Sequence, residues 1–305
     1  MRRISFRLPA LSLIGGLALM LAACGSTVTV STTAPSSPAN PSGNPPTTPP
    51  KPTLTIVTAQ QSQSGKDATA VKISVTTTCP SGTTLVSGGY DLGMANAMQL
   101  VEIIDDYPSS PNAWTVTEAN PQSGGAVTLT AYAYCLKSST AISNHIASGL
   151  SGTDGKAVAA CQTNTIVTGG GFKGAGQIAS SYPVLNTWHT AFEAGVVAPS
   201  PYAAYAVCVP SGLTAAPFAN GSATLANNAT GSANVTCPSG QTLTGGGYDN
   251  ANGASPIVTN LSLTSGSFTA KELNLYVPPV TGPGGAPPTP SPLQLTAYGM
   301  CVTAA

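Results

Sequence analysis

The chain has 305 residues, of which 42% are hydrophobic, 7% charged and 6% aromatic, with 33 glycines and 27 prolines. Globular domains carry about 25% charged residues, while disordered chains pair low hydrophobicity with high net charge, so the sequence is charge-poor without being disordered. All three arginines (Arg2, Arg3, Arg7) fall in the first seven residues, leaving seven lysines against ten carboxylates, and a phosphate-backbone footprint for nucleic acid is not expected.

The basic stretch Met1-Arg2-Arg3 with Arg7 precedes a 14-residue apolar run, Leu8 to Leu21, which contains Pro9, Gly15 and Gly16. A membrane span needs about 20 apolar residues, so the run has the proportions of an export signal. It ends Leu21-Ala22-Ala23-Cys24-Gly25, which resembles the lipobox of bacterial lipoproteins. The resemblance implies that residues 1–23 are a cleaved signal peptide and that Cys24 carries a lipid. The mature chain is then anchored to the cell membrane, facing the extracytoplasmic side, without spanning it. Residues 24–53 read as the lipidated cysteine and a Pro/Ser/Thr-rich tether, with eight prolines between positions 31 and 53. Proline removes amide donors and favours extended polyproline conformation, so this stretch holds the folded part clear of the bilayer.

The remainder is three copies of one unit, with bounds 54–137, 138–210 and 211–305. Cys79-Pro80-Ser81-Gly82 leads to Gly88-Gly89-Tyr90, Cys161 leads to Gly170-Gly171-Phe172, and Cys237-Pro238-Ser239-Gly240 leads to Gly246-Gly247-Tyr248. In each copy the aromatic residue falls eleven positions after the cysteine. Each then closes on a second signature, Ala131-Tyr132-Ala133-Tyr134-Cys135, Ala204-Tyr205-Ala206-Val207-Cys208 and Ala297-Tyr298-Gly299-Met300-Cys301. Between the signatures, Asp106-Tyr107-Pro108 with Trp114 parallels Ser181-Tyr182-Pro183 with Trp188, and the third copy has Ile257 and Phe268 without the Tyr-Pro pair.

Val71–Thr76, Trp114–Thr117 and Val127–Tyr132 alternate apolar and polar residues with many β-branched side chains, which is the pattern of strands with one buried face. No apolar stripe of helical period exists. The fold class is all-β, with four or five strands expected per copy. The glycine-aromatic elements Gly88-Gly89-Tyr90, Gly170-Gly171-Phe172 and Gly246-Gly247-Tyr248 lack the following helix and the Lys of a phosphate loop. They read as structural bulges or close backbone approaches.

Setting Cys24 aside, six cysteines remain, two per copy, in a chain whose export permits disulfides. Pairing within copies gives Cys79–Cys135, Cys161–Cys208 and Cys237–Cys301. Pairing between copies gives Cys135–Cys161 and Cys208–Cys237, closed by Cys301–Cys79. The first treats every copy as a complete unit and is favoured. None of the close cysteine pairs of zinc sites occurs, and neither metal nor cofactor is expected. The expected architecture is three disulfide-closed antiparallel repeats in a pseudo-threefold, β-prism-like single domain, with three tandem small sandwiches as the alternative. The Pro-rich run from Pro278 to Pro292 reads as a loop insertion in the third copy.

His145 and His189 have no signature partner and no echo in another copy. Asp105 and Asp106 adjoin, but neighbours in a strand face opposite sides. Asp91 and Asp249 follow the aromatic in copies one and three where copy two has Lys173, so three equivalent cation or sugar sites are not expected there. The repeat pattern over residues 70–303 resembles modules of uncharacterised exported bacterial proteins, a likeness that implies no assigned activity. Two functions follow as expectations. One is a non-catalytic, membrane-anchored envelope lipoprotein, structural or binding a glycan or another envelope component through repeated weak sites. The other is an envelope hydrolase using dispersed carboxylates such as Glu102, Asp105 or Glu118.

Overall fold

The computed structural model describes residues 52–63, 71–94, 101–120, 127–138, 141–152, 154–174, 178–192, 202–211, 213–215, 219–251, 256–264, 266–274 and 292–304. The signal peptide, Cys24, nearly all of the tether and most of the Pro-rich run after Pro278 lie outside these residues. Every regular element among the described residues is a strand.

The first copy contributes β1 (Thr53–Gln63), β2 (Val71–Thr78), β3 (Thr84–Met94), β4 (Glu102–Ser110), β5 (Ala113–Asn120) and β6 (Val127–Lys137). The second gives β7 (His145–Leu150), β8 (Lys156–Ala160), β9 (Thr165–Lys173), β10 (Ile178–Val184), β11 (Thr187–Phe192) and β12 (Ala203–Pro210). The third splits its first strand into β13 (Leu213–Ala215) and β14 (Ala219–Leu225), followed by β15 (Thr230–Thr236), β16 (Thr242–Ala251), β17 (Pro256–Thr264), β18 (Ser267–Asn274) and β19 (Leu293–Ala304). Each copy therefore has six strand positions, more than the alternation alone discloses.

These strands form three antiparallel sheets, ordered β1-β6-β3-β17-β18-β15, β2-β5-β4-β9-β12-β7, and β13-β19-β16-β10-β11-β8 with β14 also on β19. This order corrects two expectations. Every sheet takes three strand positions from each of two copies, so no copy is a self-contained face of a β-prism or a sandwich of its own. Among the described residues no sheet closes on itself. The pseudo-threefold relation survives as a cycle of exchanged edges. The fourth strand of each copy pairs with the third strand of the next, at Asp106↔Phe172, Ser181↔Tyr248 and Leu261↔Tyr90. Hydrophobic alternation is satisfied by a partner from either copy, which is why sequence periodicity does not reveal the exchange.

The three disulfides are Cys79–Cys135, Cys161–Cys208 and Cys237–Cys301, with Cα–Cα distances of 5.6, 5.7 and 5.7 Å. Each joins the residue after a copy's second strand to its sixth strand, and those strands belong to different sheets. The three bonds therefore staple each sheet to both of the others.

The third strands meet at the centre. Each has one unpaired extra residue, Val86, Thr168 and Thr244, where its register with the sixth strand shifts. Such bulges re-aim the chain, here toward the pseudo-axis. Thr168 Oγ1 donates to the Val86 carbonyl (2.8 Å), and Thr244 Oγ1 donates to the Thr168 carbonyl (3.1 Å). Val86 has no hydroxyl, so its side chain cannot supply the third link of that ring. Around this centre the core is built from Trp114, Trp188, Phe268, Tyr90, Phe172 and Tyr248, all buried.

Candidate functional site

The glycine-aromatic elements lie in the core, and their geometry explains their composition. A Cβ on Gly88, Gly170 or Gly246 would enter the ring of Trp114, Trp188 or Phe268 of the same copy. A Cβ on Gly89, Gly171 or Gly247 would fall on the carbonyl oxygen of Leu261, Asp106 or Ser181, on the fourth strand of the neighbouring copy. Glycine is thus required where two copies exchange strands. Tyr90 donates its hydroxyl to the Val258 carbonyl (3.3 Å) and Tyr248 to the Ile178 carbonyl (2.9 Å), while Phe172 at the equivalent place has no hydroxyl. These residues hold the copies together and face no solvent.

Ionisable groups lie in the same interior: Asp106, weighed in the sequence only as the neighbour of Asp105, Glu118, named there as a dispersed carboxylate, and Glu272, which the sequence reading missed. Asp106 accepts a 2.6 Å hydrogen bond from the Trp114 indole N–H, and Ser181 accepts one of 2.9 Å from Trp188. In the third copy Phe268 has no N–H, and the position of Asp106 and Ser181 is filled by Leu261. Burial pushes the Asp106 carboxyl up to about 7, opposed by the Trp114 hydrogen bond and helped by Asp105. Glu118 and Glu272 each stand four residues after that aromatic, and both are buried without a hydrogen bond. Asn250 lies beside Glu272 and opposes its shift, though the two do not meet in hydrogen-bonding geometry. Desolvation raises Glu118 to about 7 and Glu272 to about 8. The signal in the sequence was the shared offset of the two glutamates from Trp114 and Phe268.

The carboxylates named for a hydrolase are not gathered. Glu102 is half-buried at the start of β4, Asp105 is half-buried with Oδ1 accepting the Gly174 amide (2.9 Å), and Glu118 is turned into the core. His145 is exposed at the start of β7. His189 is half-buried, with Nε2 at 2.8 Å from Thr187 Oγ1, and burial followed by the Lys156 charge lowers its pKa.

The outer faces of the sheets carry a different repeated feature. Tyr132, Tyr205 and Tyr298 occupy one position in the three sixth strands, each directly opposite an exchange glycine (Gly89, Gly171, Gly247) on the same face of the sheet, and all three are half-buried. On the second sheet Tyr107 lies against Tyr205, with centroids 5.2 Å apart and planes at 46°. The Lys173 ammonium sits 4.7 Å from the Tyr107 centroid. On the third sheet Tyr182 stacks on Tyr298 at 5.1 Å and 24°, with His189 at 6.1 Å from Tyr182. The first sheet has Ser262 at the position of Tyr107 and Tyr182, leaving Tyr132 without an outward aromatic neighbour from that strand. Two of the three sheets therefore build a tyrosine pair across the junction of two copies, while on the first sheet, among the described residues, Tyr132 neighbours only Tyr134 of its own strand, at 6.4 Å and 15°.

Among the described residues no group of three or more His, Cys, Asp or Glu side chains is placed to hold a metal ion, and no helix is long and apolar enough to cross a membrane. No protein-family model and no curated protein matches the chain.

Proposed function

We propose that the chain is a lipid-anchored envelope protein whose all-β domain acts as a non-catalytic structural or binding module. The observation that carries this reading is the outward tyrosine at one position of every copy, displayed by a body whose sheets are covalently stapled to one another. Repeated weak sites on a rigid body gain from avidity. The lipobox-like Leu21-Ala22-Ala23-Cys24 supports the anchor. Pro52, where the tether meets the fold, is bonded through its carbonyl to Thr242 Oγ1 (3.4 Å), beside the disulfide of the third copy. Cosedimentation of the purified protein with isolated cell-wall material tests the binding role. Metabolic labelling with a palmitate analogue tests the anchor, and Cys24→Ala is expected to lose the label. Persistent labelling of that variant overturns the anchor.

A second reading, an envelope hydrolase, is favoured by one observation. Asp106, Glu118 and Glu272 are carboxyls raised to about 7, 7 and 8, the range in which a carboxyl serves as a general acid near neutrality. All three are buried, so this reading also requires an opening of the core that brings substrate to them. Release of reducing ends from cell-wall glycan by the wild type, abolished in Glu118→Gln, establishes this reading over the first.

A further inference from the structure

We infer that the pairs Tyr107–Tyr205 and Tyr182–Tyr298 are two stacking subsites for an uncharged pyranose chain. The inference rests on the binding reading above and assigns it a place and a ligand class. Each pair offers two half-exposed rings with centroids about one ring-width apart, 5.2 and 5.1 Å, on the outer face of a sheet. The C–H face of a pyranose is apolar and its rim is lined with hydroxyls, so it suits an aromatic platform bordered by polar groups. The borders here are Lys173 and Asp105 on one sheet, and His189 and Asp249 on the other. Tyrosine orders at small entropic cost because it has only two side-chain torsions.

Charge selects the ligand further. No arginine occurs after Arg7, and each pair has one cationic and one acidic neighbour or only a weakly basic histidine beside an acid. A polyanion finds no cationic cradle on either face, so the ligand is neutral. The ammonium over Tyr107 covers part of that ring, which makes the Tyr182–Tyr298 pair the more open subsite.

The protein contains its own control. Ser262 stands where the other copies have Tyr107 and Tyr182, in a sheet of the same register. Tyr107→Ser and Tyr182→Ser therefore reproduce a side chain that this position already accommodates. The test is calorimetric titration of the full chain in detergent micelles with chitohexaose and cellohexaose, backed by melting curves. The expected result is two sites per chain for at least one of these probes. One site is lost in each single variant, and affinity falls at least tenfold in the double variant without a change in melting temperature. Tyr132→Ser is expected to leave titration unchanged. Failure of both probes to bind the wild type overturns the inference, as does undiminished binding by the double variant. If cosedimentation with cell-wall material persists in either case, the envelope-binding reading stands and only the tyrosine subsites fall. If cosedimentation fails as well, both fall.

Discussion

The indole N–H of Trp114 donates a 2.6 Å hydrogen bond to Oδ1 of Asp106, and both side chains are buried. The three copies vary the two positions together, as Trp114 with Asp106, Trp188 with Ser181 and Phe268 with Leu261. A buried N–H left without an acceptor costs about 1–3 kcal/mol. Asp106→Leu is expected to lose stability in that range, measured by denaturant unfolding at pH 5, where the carboxyl is neutral. Adding Trp114→Phe, which transplants the third copy's pair, should recover most of the loss. A double-mutant cycle with no coupling would contradict the pairing.

Stability should fall as pH rises from acid to mildly alkaline. Unfolded carboxyls titrate at about 3.9 for Asp and 4.3 for Glu. Burial lifts Asp106, Glu118 and Glu272 to about 7, 7 and 8, so the folded chain holds protons that the unfolded chain has released. Their contribution is complete below the unfolded values, shrinks through the interval and is gone above about pH 8. Melting temperatures recorded from pH 4 to 9 should decline across that window, and Glu118→Gln with Glu272→Gln should flatten the decline. A profile rising with pH would contradict the burial of these acids.

Gly171 sits at an exchange point, where a Cβ would fall on the Asp106 carbonyl of the neighbouring copy. Gly171→Ala is expected to cost at least about 2 kcal/mol, because the obstacle is backbone that cannot rotate away. Gly93→Ala is the matched control in the same class of strand, with its Cβ at an ordinary 3.4 Å from Thr128. Thermal melts of equal midpoint for the two variants would remove the strand exchange as the reason for the glycine.

Completing the central ring should be favourable. Thr168 and Thr244 each donate to the carbonyl of the preceding copy's bulge residue, and Val86 occupies the third place. Val86→Thr is nearly isosteric and would offer its hydroxyl to Thr244, so stability is expected to hold or rise by up to about 1 kcal/mol. Thr168→Val should lower it by a similar amount. Loss of stability in Val86→Thr comparable to a core defect would show that the ring is not threefold in its hydrogen bonding.

Much of this molecule was legible in its sequence, and the rest was hidden for identifiable reasons. Alternation in Val71–Thr76 and the eleven-residue step from Cys79 to Tyr90 expose the strand class and the triplication. The exchange of edges was hidden because β4 and β9 share only two paired positions, Asp105↔Lys173 and Asp106↔Phe172, and nothing in their pattern names a partner. The first strand of each copy was faint as well. His145–Leu150 has no buried residue and lacks the alternation that marks the others. On the outer faces, the Tyr-Pro pair of two copies was visible as a repeat, but its proximity to Tyr205 and Tyr298 depends on that same exchange.

The pairing of β17 with β3 also bears on how the protein is made. Linear repeat arrays grow by adding a unit to an existing end, and each added unit finds a finished neighbour. Here Tyr90 of the first copy waits for Leu261 of the last, and the disulfide of the last copy joins β19 to the residue after β15. No sheet that includes strands of the first copy can be completed by that copy alone. A chain of which only two copies have emerged therefore presents open edges at β3 and β10, and the ring locks only after the third is in place. Long-range closure of this kind is slow, and truncation near the C-terminus should be as damaging to the first copy as to the third.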